Sequence, residues 1–151
     1  MRGVTYLLGY RLARIHMACP LFKPARRLDA GGWDPAPRLP LGDAWAGECT
    51  AGCAEQPTEA TQREVCNCGY ARGRCEHFPA GMVADAVRFS MGQDGRLIYI
   101  FEKDHAPLEH GEIDAATDPG EPLASLARAF NESYRRVLDA ATKRSAAGGI
   151  V

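Results

Sequence analysis

Val87-Arg88-Phe89-Ser90-Met91-Gly92-Gln93-Asp94-Gly95-Arg96-Leu97-Ile98-Tyr99-Ile100-Phe101 is the stretch on which the fold turns. Val87, Phe89 and Met91 alternate with Arg88 and Ser90, the period of two expected of a strand with one face turned inward. Gln93-Asp94-Gly95 is a turn signal. Leu97 to Phe101 is rich in β-branched and aromatic residues, as in a strand buried on both faces. Glu102-Lys103-Asp104 then ends the apolar run. The stretch therefore predicts an antiparallel β-hairpin.

Downstream, a helix is expected from about Pro122 to Thr142. Leu123, Leu126, Ala127, Phe130, Tyr134, Val137, Leu138 and Ala141 recur at three- and four-residue spacing and form one apolar stripe. Arg135, Arg136, Lys143 and Arg144 stand toward the negative end of its dipole. Upstream, residues 19–57 hold Pro20, Pro24, Pro35, Pro37, Pro40 and Pro57 together with five glycines. Proline removes a backbone donor and fixes φ, so no long helix or central strand is expected there, and the segment reads as irregular. Trp33, Leu39, Leu41 and Trp45 are interleaved with the prolines and would pin it to a core. A short helix is expected from Pro57 or Thr58 to about Cys66, with Glu59 in its first turn and Gly69 at its exit.

These pieces add up to an α+β fold. A small antiparallel sheet is packed with a long C-terminal helix, behind a Pro/Gly-rich cysteine region organised by a metal. The expected organisation is a basic amphipathic arm at 1–18, a single domain at 19–144 and a loose tail at 145–151. The chain of 151 residues is long enough for a real core.

Formal net charge is −1, which gives no general attraction to nucleic acid or anionic membrane. The charge is uneven, however. Arg2, Arg11, Arg14, Lys23, Arg26 and Arg27 face a single acid, Asp29, in the first 30 residues, whereas residues 91–120 are acidic. The basic arm suits either an acidic partner or the chain's own acidic stretch. No window of about 18 apolar residues exists, so no membrane span is expected. Arg11, Arg14 and His16 interrupt the apolar start too early for an export signal, and a cytoplasmic location is the expectation.

The chemistry lies in the cysteines. Of six, five bunch together as Cys49-x3-Cys53-x12-Cys66-x-Cys68-x6-Cys75, and Cys19 precedes them. Disulfides would suit an oxidising compartment, which nothing here indicates. A structural zinc takes four thiolates with close pairs two to four residues apart. Cys49-x3-Cys53 meets that spacing, and Cys66-x-Cys68 is tighter than usual. An iron–sulfur cluster, most simply 4Fe-4S, accepts ligands from scattered segments, and Cys19-Pro20 echoes the Cys-Pro pair that closes a ferredoxin motif. The cysteines fall into four groups, and one from each encloses a metal. The expected ligands are Cys19, Cys49, Cys66 and Cys75. Cys53 is the alternate for Cys49, Cys68 the alternate for Cys66, and His77 a possible substitute. Lys23, Arg26, Arg27, Arg72 and Arg74 would offset cluster charge, and Phe22, Tyr70 and Phe78 would shield it.

The leading expectation is an iron–sulfur protein in an accessory, structural or electron-transfer role beside a protein partner. The alternative is a zinc-stabilised regulatory or nucleic-acid-binding module. A third is a metalloenzyme using His105 or His110, although the acidic stretch 104–112 reads more simply as a polar loop leaving the hairpin. No phosphate loop, dinucleotide fingerprint or nucleophile signature is present, so an enzyme is not the expectation.

Overall fold

The computed structural model describes residues 18–28, 41, 43–67, 71–94, 96–114 and 120–148. The 1–17 arm, most of the 29–42 connection, Cys68 to Tyr70 and the last three residues lie outside the described residues. The chain has mixed architecture: two small antiparallel sheets and a long C-terminal helix. Strands β1 (Phe22–Arg27) and β2 (Trp45–Cys49) form one sheet. Strands β3 (Ala86–Met91), β4 (Leu97–Lys103) and β5 (Ala106–Ile113) form the other, in the order β3-β4-β5. Between the sheets runs a short helical turn, α1 (Glu59–Thr61), which continues directly into a π-helical turn (Gln62–Cys66). The long helix is α2 (Pro122–Gly148).

The expected hairpin is β3-β4, with Val87 opposite Phe101 and Met91 opposite Leu97. Helix α2 runs to Gly148, past the expected end near Thr142 and into the segment expected as a loose tail, and three further features depart from the sequence reading. First, β4 is not buried on both faces, since Ile98 to Phe101 are only half-buried. Second, the 104–112 stretch is not a polar loop. The chain reverses at Asp104 and His105, both with positive φ (51° and 65°), and returns as β5. Two successive positive-φ residues are what a two-residue hairpin turn requires, and Asp and His tolerate it better than most side chains. Pro107 is accommodated because β5 is an edge strand and a register shift lies beside it.

Third, the 19–57 region is not wholly irregular, because β1 and β2 pair there. Pro24 fits because a two-stranded sheet has only edge strands and because Ala25 is bulged out between Pro24 and Arg26. Gly47 sits opposite Pro24, and there the backbones approach so closely that a Cβ would lie 1.9 Å from the Lys23 carbonyl oxygen.

One apolar core joins both sheets to α2. Phe22, Leu41, Val87 and Leu126 are almost fully buried in it. Helix α2 packs chiefly on β1 and reaches the three-stranded sheet through Phe130, whose ring stacks on Phe89 at 5.6 Å. Among the described side chains, the stripe is buried toward the start of the helix. Leu126 and Ala127 are buried, whereas Tyr134 and Leu138 are 37% and 48% exposed. An antiparallel bridge between Ala18 and Val87 ties the start of the described chain to β3. No described helix is long and apolar enough to cross a membrane.

The Gly47 contact generates a test. Gly47→Ala must push backbone against backbone and should destabilise the chain by about 3 kcal/mol. Gly81→Ala meets nothing within 4 Å and should stay within about 0.5 kcal/mol of the parent. Urea titration of both variants reads the difference, and equal midpoints would contradict the close approach.

Candidate metal centre

Four separate segments carry the expected ligands, and hydrogen bonds hold each of them in place. Cys19 donates its backbone N–H to the Cys66 carbonyl at 3.0 Å. Cys49 ends β2, opposite Phe22 of β1. Cys75 follows a turn at Gly73 (φ 87°) and donates its backbone N–H to the Ala71 carbonyl at 2.7 Å. That loop is fixed by Arg72, which donates to the Asp85 carboxylate and the Met82 carbonyl and lies 4.7 Å from the centre of the Phe78 ring. Asp85 is buried and also accepts from the Asp104 N–H at 2.8 Å, so the Cys75 loop is moored to the β4-β5 turn.

The edge of β2 facing away from β1 is held in an unusual way. Its outward main-chain groups belong to alternate residues, 45, 47 and 49. Each meets a side-chain amide that both accepts its N–H and donates to its carbonyl. Asn67 accepts from the Trp45 N–H at 2.9 Å and donates to the Trp45 carbonyl at 2.8 Å. Gln62 does the same for Gly47, at 3.1 and 2.8 Å. Gln56 does so for Cys49, at 2.7 and 3.2 Å. Three side chains thus imitate a neighbouring strand and leave no outward donor or acceptor of β2 unpaired along this edge. Asn67 and Gln62 bracket the π turn, so the ladder also fixes Cys66 relative to Cys49.

The result is a cavity of about 410 Å³. Cys19, Cys49, Cys66 and Cys75 all line it, and so does the alternate, Cys53. Leu21, Val65 and Phe78 supply apolar wall, while Arg74, His77, Glu55 and Glu76 also border it. Among the residues expected to balance charge or give shelter, Arg74 and Phe78 stand on the cavity. Arg72 is committed to Asp85, Arg26 pairs with Glu59, and Phe22 belongs to the core. His105 lies in the β4-β5 turn and His110 on β5, opposite Ile100, and neither lines the cavity.

The thiols differ in setting. Burial pushes Cys19 and Cys66 up to about 12, with the charges of neighbouring cysteines adding to the effect. For Cys66 those neighbours are Cys19, Cys49, Cys75 and Cys53, so all five share one electrostatic environment. Burial raises Cys49 as well, opposed by the Ala51 N–H directed at its sulfur at 3.4 Å. Among the described residues no three or more His, Cys, Asp or Glu side chains form a group that could hold a metal ion. The thiols ring the cavity. They do not meet at a point.

The amides Gln56, Gln62 and Asn67 escaped sequence reading because nothing in their spacing announces a tertiary bond. Comparison with protein families, with curated proteins and with solved structures gave no match.

Two outcomes are expected. Asn67→Ala strips partners from the buried Trp45 N–H and carbonyl and should cost about 2–4 kcal/mol, whereas Gln56→Ala at the exposed end should cost about 1 kcal/mol or less. Equal losses on chemical denaturation would contradict the ladder's burial gradient. The second outcome concerns pH. The folded chain holds Cys19 and Cys66 protonated, whereas an unfolded thiol ionises near 9.0. Their contribution to stability is complete below that value and is lost as pH rises toward about 12. The metal-free chain should therefore lose Tm as pH rises from about 9 toward about 12, and Cys19→Ser should make the loss shallower. An identical slope in the variant would contradict the buried thiol.

Proposed function

We propose that this protein binds an iron–sulfur cluster, most simply 4Fe-4S, through Cys19, Cys49, Cys66 and Cys75, and serves a protein partner as an accessory or electron-transfer unit. The observation that carries the reading is the convergence of all four on one cavity of about 410 Å³ from segments as far apart in sequence as residues 19 and 75. A cavity of that size walled by separated thiols supports a multi-iron cluster better than a single zinc. Zinc needs its four sulfurs at about 2.3 Å from one centre and therefore nearly touching each other. Leu21, Val65 and Phe78 would limit water at the cluster, and Arg74 would offset part of its negative charge. When bound, such a group supplies one-electron transfer. The chain's part is to hold four thiolates in fixed positions and to set their surroundings through burial and nearby charge.

The test is elemental analysis of protein purified without air, together with single Cys→Ser variants. About four irons per chain are expected, with loss of most iron from Cys19→Ser, Cys49→Ser, Cys66→Ser and Cys75→Ser. Cys53→Ser is expected to retain it. One zinc and no iron would replace the cluster with the zinc reading. A chain without metal under these conditions would remove both.

A further inference from the structure

The cavity holds one thiol more than a four-ligand cluster uses, and its placement is specific. Cys49 and Cys53 are joined sulfur to sulfur at 3.4 Å, the one thiol–thiol hydrogen bond among the described residues. Local backbone geometry produces this contact. Cys49 ends β2 with its main chain clamped by Gln56. The chain then turns back through Gly52, whose φ of 81° lies in the region that side chains other than glycine's rarely adopt. The Ala51 N–H inside that turn points at the Cys49 sulfur at 3.4 Å and fixes its rotamer. Both cysteines are half-buried on an open cavity, whereas Cys19 and Cys66 are buried. A disulfide has its sulfurs about 2.05 Å apart, so the two thiols already stand within about 1.4 Å of bonding distance.

We propose that Cys49 and Cys53 are a modification site of their own, a dithiol that a hydroperoxide converts to an intramolecular disulfide whenever the cavity carries no metal. One thiol attacks the distal peroxide oxygen, the O–O bond breaks, and a sulfenic acid and an alcohol (or water) result. The second sulfur then attacks the sulfenic sulfur, the S–S bond forms and water leaves. In total, two thiols and one hydroperoxide give one disulfide, one alcohol and one water. The two electrons come from the sulfurs and reduce the peroxide. The S–S bond removes Cys49 from the ligand set, so under the cluster reading the same event blocks reloading until a thiol reductant reverses it. The disulfide itself does not rest on that reading.

The sequence makes the test direct. Arg38 and Arg63 bound a tryptic peptide, Leu39 to Arg63, that contains Cys49 and Cys53 and no other cysteine. The metal-free, reduced full chain is treated with one equivalent of hydrogen peroxide, alkylated and digested. The expected product is that peptide, lighter by two hydrogens and unalkylated, restored to two alkylated cysteines by prior treatment with dithiothreitol. Cys53→Ser should abolish the product while leaving the fold intact. Gly52→Ala should slow its formation several-fold, because the left-handed φ becomes strained although the added methyl meets nothing within 4 Å. Oxidation appearing first as linkages among Cys19, Cys66, Cys68 and Cys75, with both alkylatable thiols still present in Leu39 to Arg63, would overturn the proposal. Iron uptake before and after oxidation is read on the same samples. Failure of the reduced chain to take iron counts against the cluster reading, whereas the peptide map decides the dithiol.

Discussion

The free edge of β2 is the constraint on which the rest depends. A two-stranded sheet inside a small domain leaves half of one strand's amide and carbonyl groups without partners, and burying them unpaired would cost on the order of 1–3 kcal/mol each. This chain covers that edge with Asn67, Gln62 and Gln56, each making a paired donor–acceptor contact with alternate residues of β2. The three amides come from the segment that also carries the π turn. Satisfying the edge therefore drags Cys66 to a fixed place beside Cys49. The bond from the Cys19 N–H to the Cys66 carbonyl adds the third segment. A cysteine-lined cavity follows from the need to pair backbone groups.

The remaining wall is set by different physics. The Cys75 loop has little apolar surface of its own and is held by polar contacts that converge on Arg72 and Asp85. Asp85 is buried and paired, a state in which removing one partner is far more damaging than the pair is stabilising. The loop is thereby tied to the three-stranded sheet, while β2 belongs to the two-stranded one and the π turn is fixed to β2. Helix α2 closes the arrangement by packing on β1 and stacking Phe130 on Phe89, so both halves share one core. The thiols sit where these units meet, and burial pushes two of them up to about 12.

What was legible in the sequence was periodic. Val87 to Phe101 announced a hairpin because alternation and a turn signal coincide there, and Leu123 to Ala141 announced a helix because apolar residues recur at three- and four-residue spacing. Strand β5 was hidden. Its residues are mostly exposed, so no alternation marks it, and its turn uses Asp104 and His105 where glycine would have been the usual signal. Strands β1 and β2 were hidden by Pro24 and Gly47, which argue against a regular strand until the bulge at Ala25 and the backbone approach are known. That Cys49, Cys53, Cys66 and Cys75 would lie near one another was legible from their bunching, whereas Cys19 reaches the cavity through its bond to the Cys66 carbonyl. The choice among them was less so: Cys49 and Cys53 share the cavity, and only the fold displays their contact. The amide ladder left no trace in the sequence, since glutamine and asparagine make such bonds at any separation.

Backbone and side-chain amide hydrogen bonds hold the Cys19, Cys49 and Cys66 segments around one cavity. Native-state hydrogen exchange of the metal-free chain, read at the amides of Trp45, Gly47 and Cys49, tests it most directly. The account predicts protection at Trp45 and Gly47 close to that of the core strand residue Val87, with Cys49 somewhat less protected because its partner Gln56 is exposed. Exchange at all three as fast as in an unstructured peptide, with Val87 still protected, would contradict it. The cysteine region would then owe its order to a bound metal.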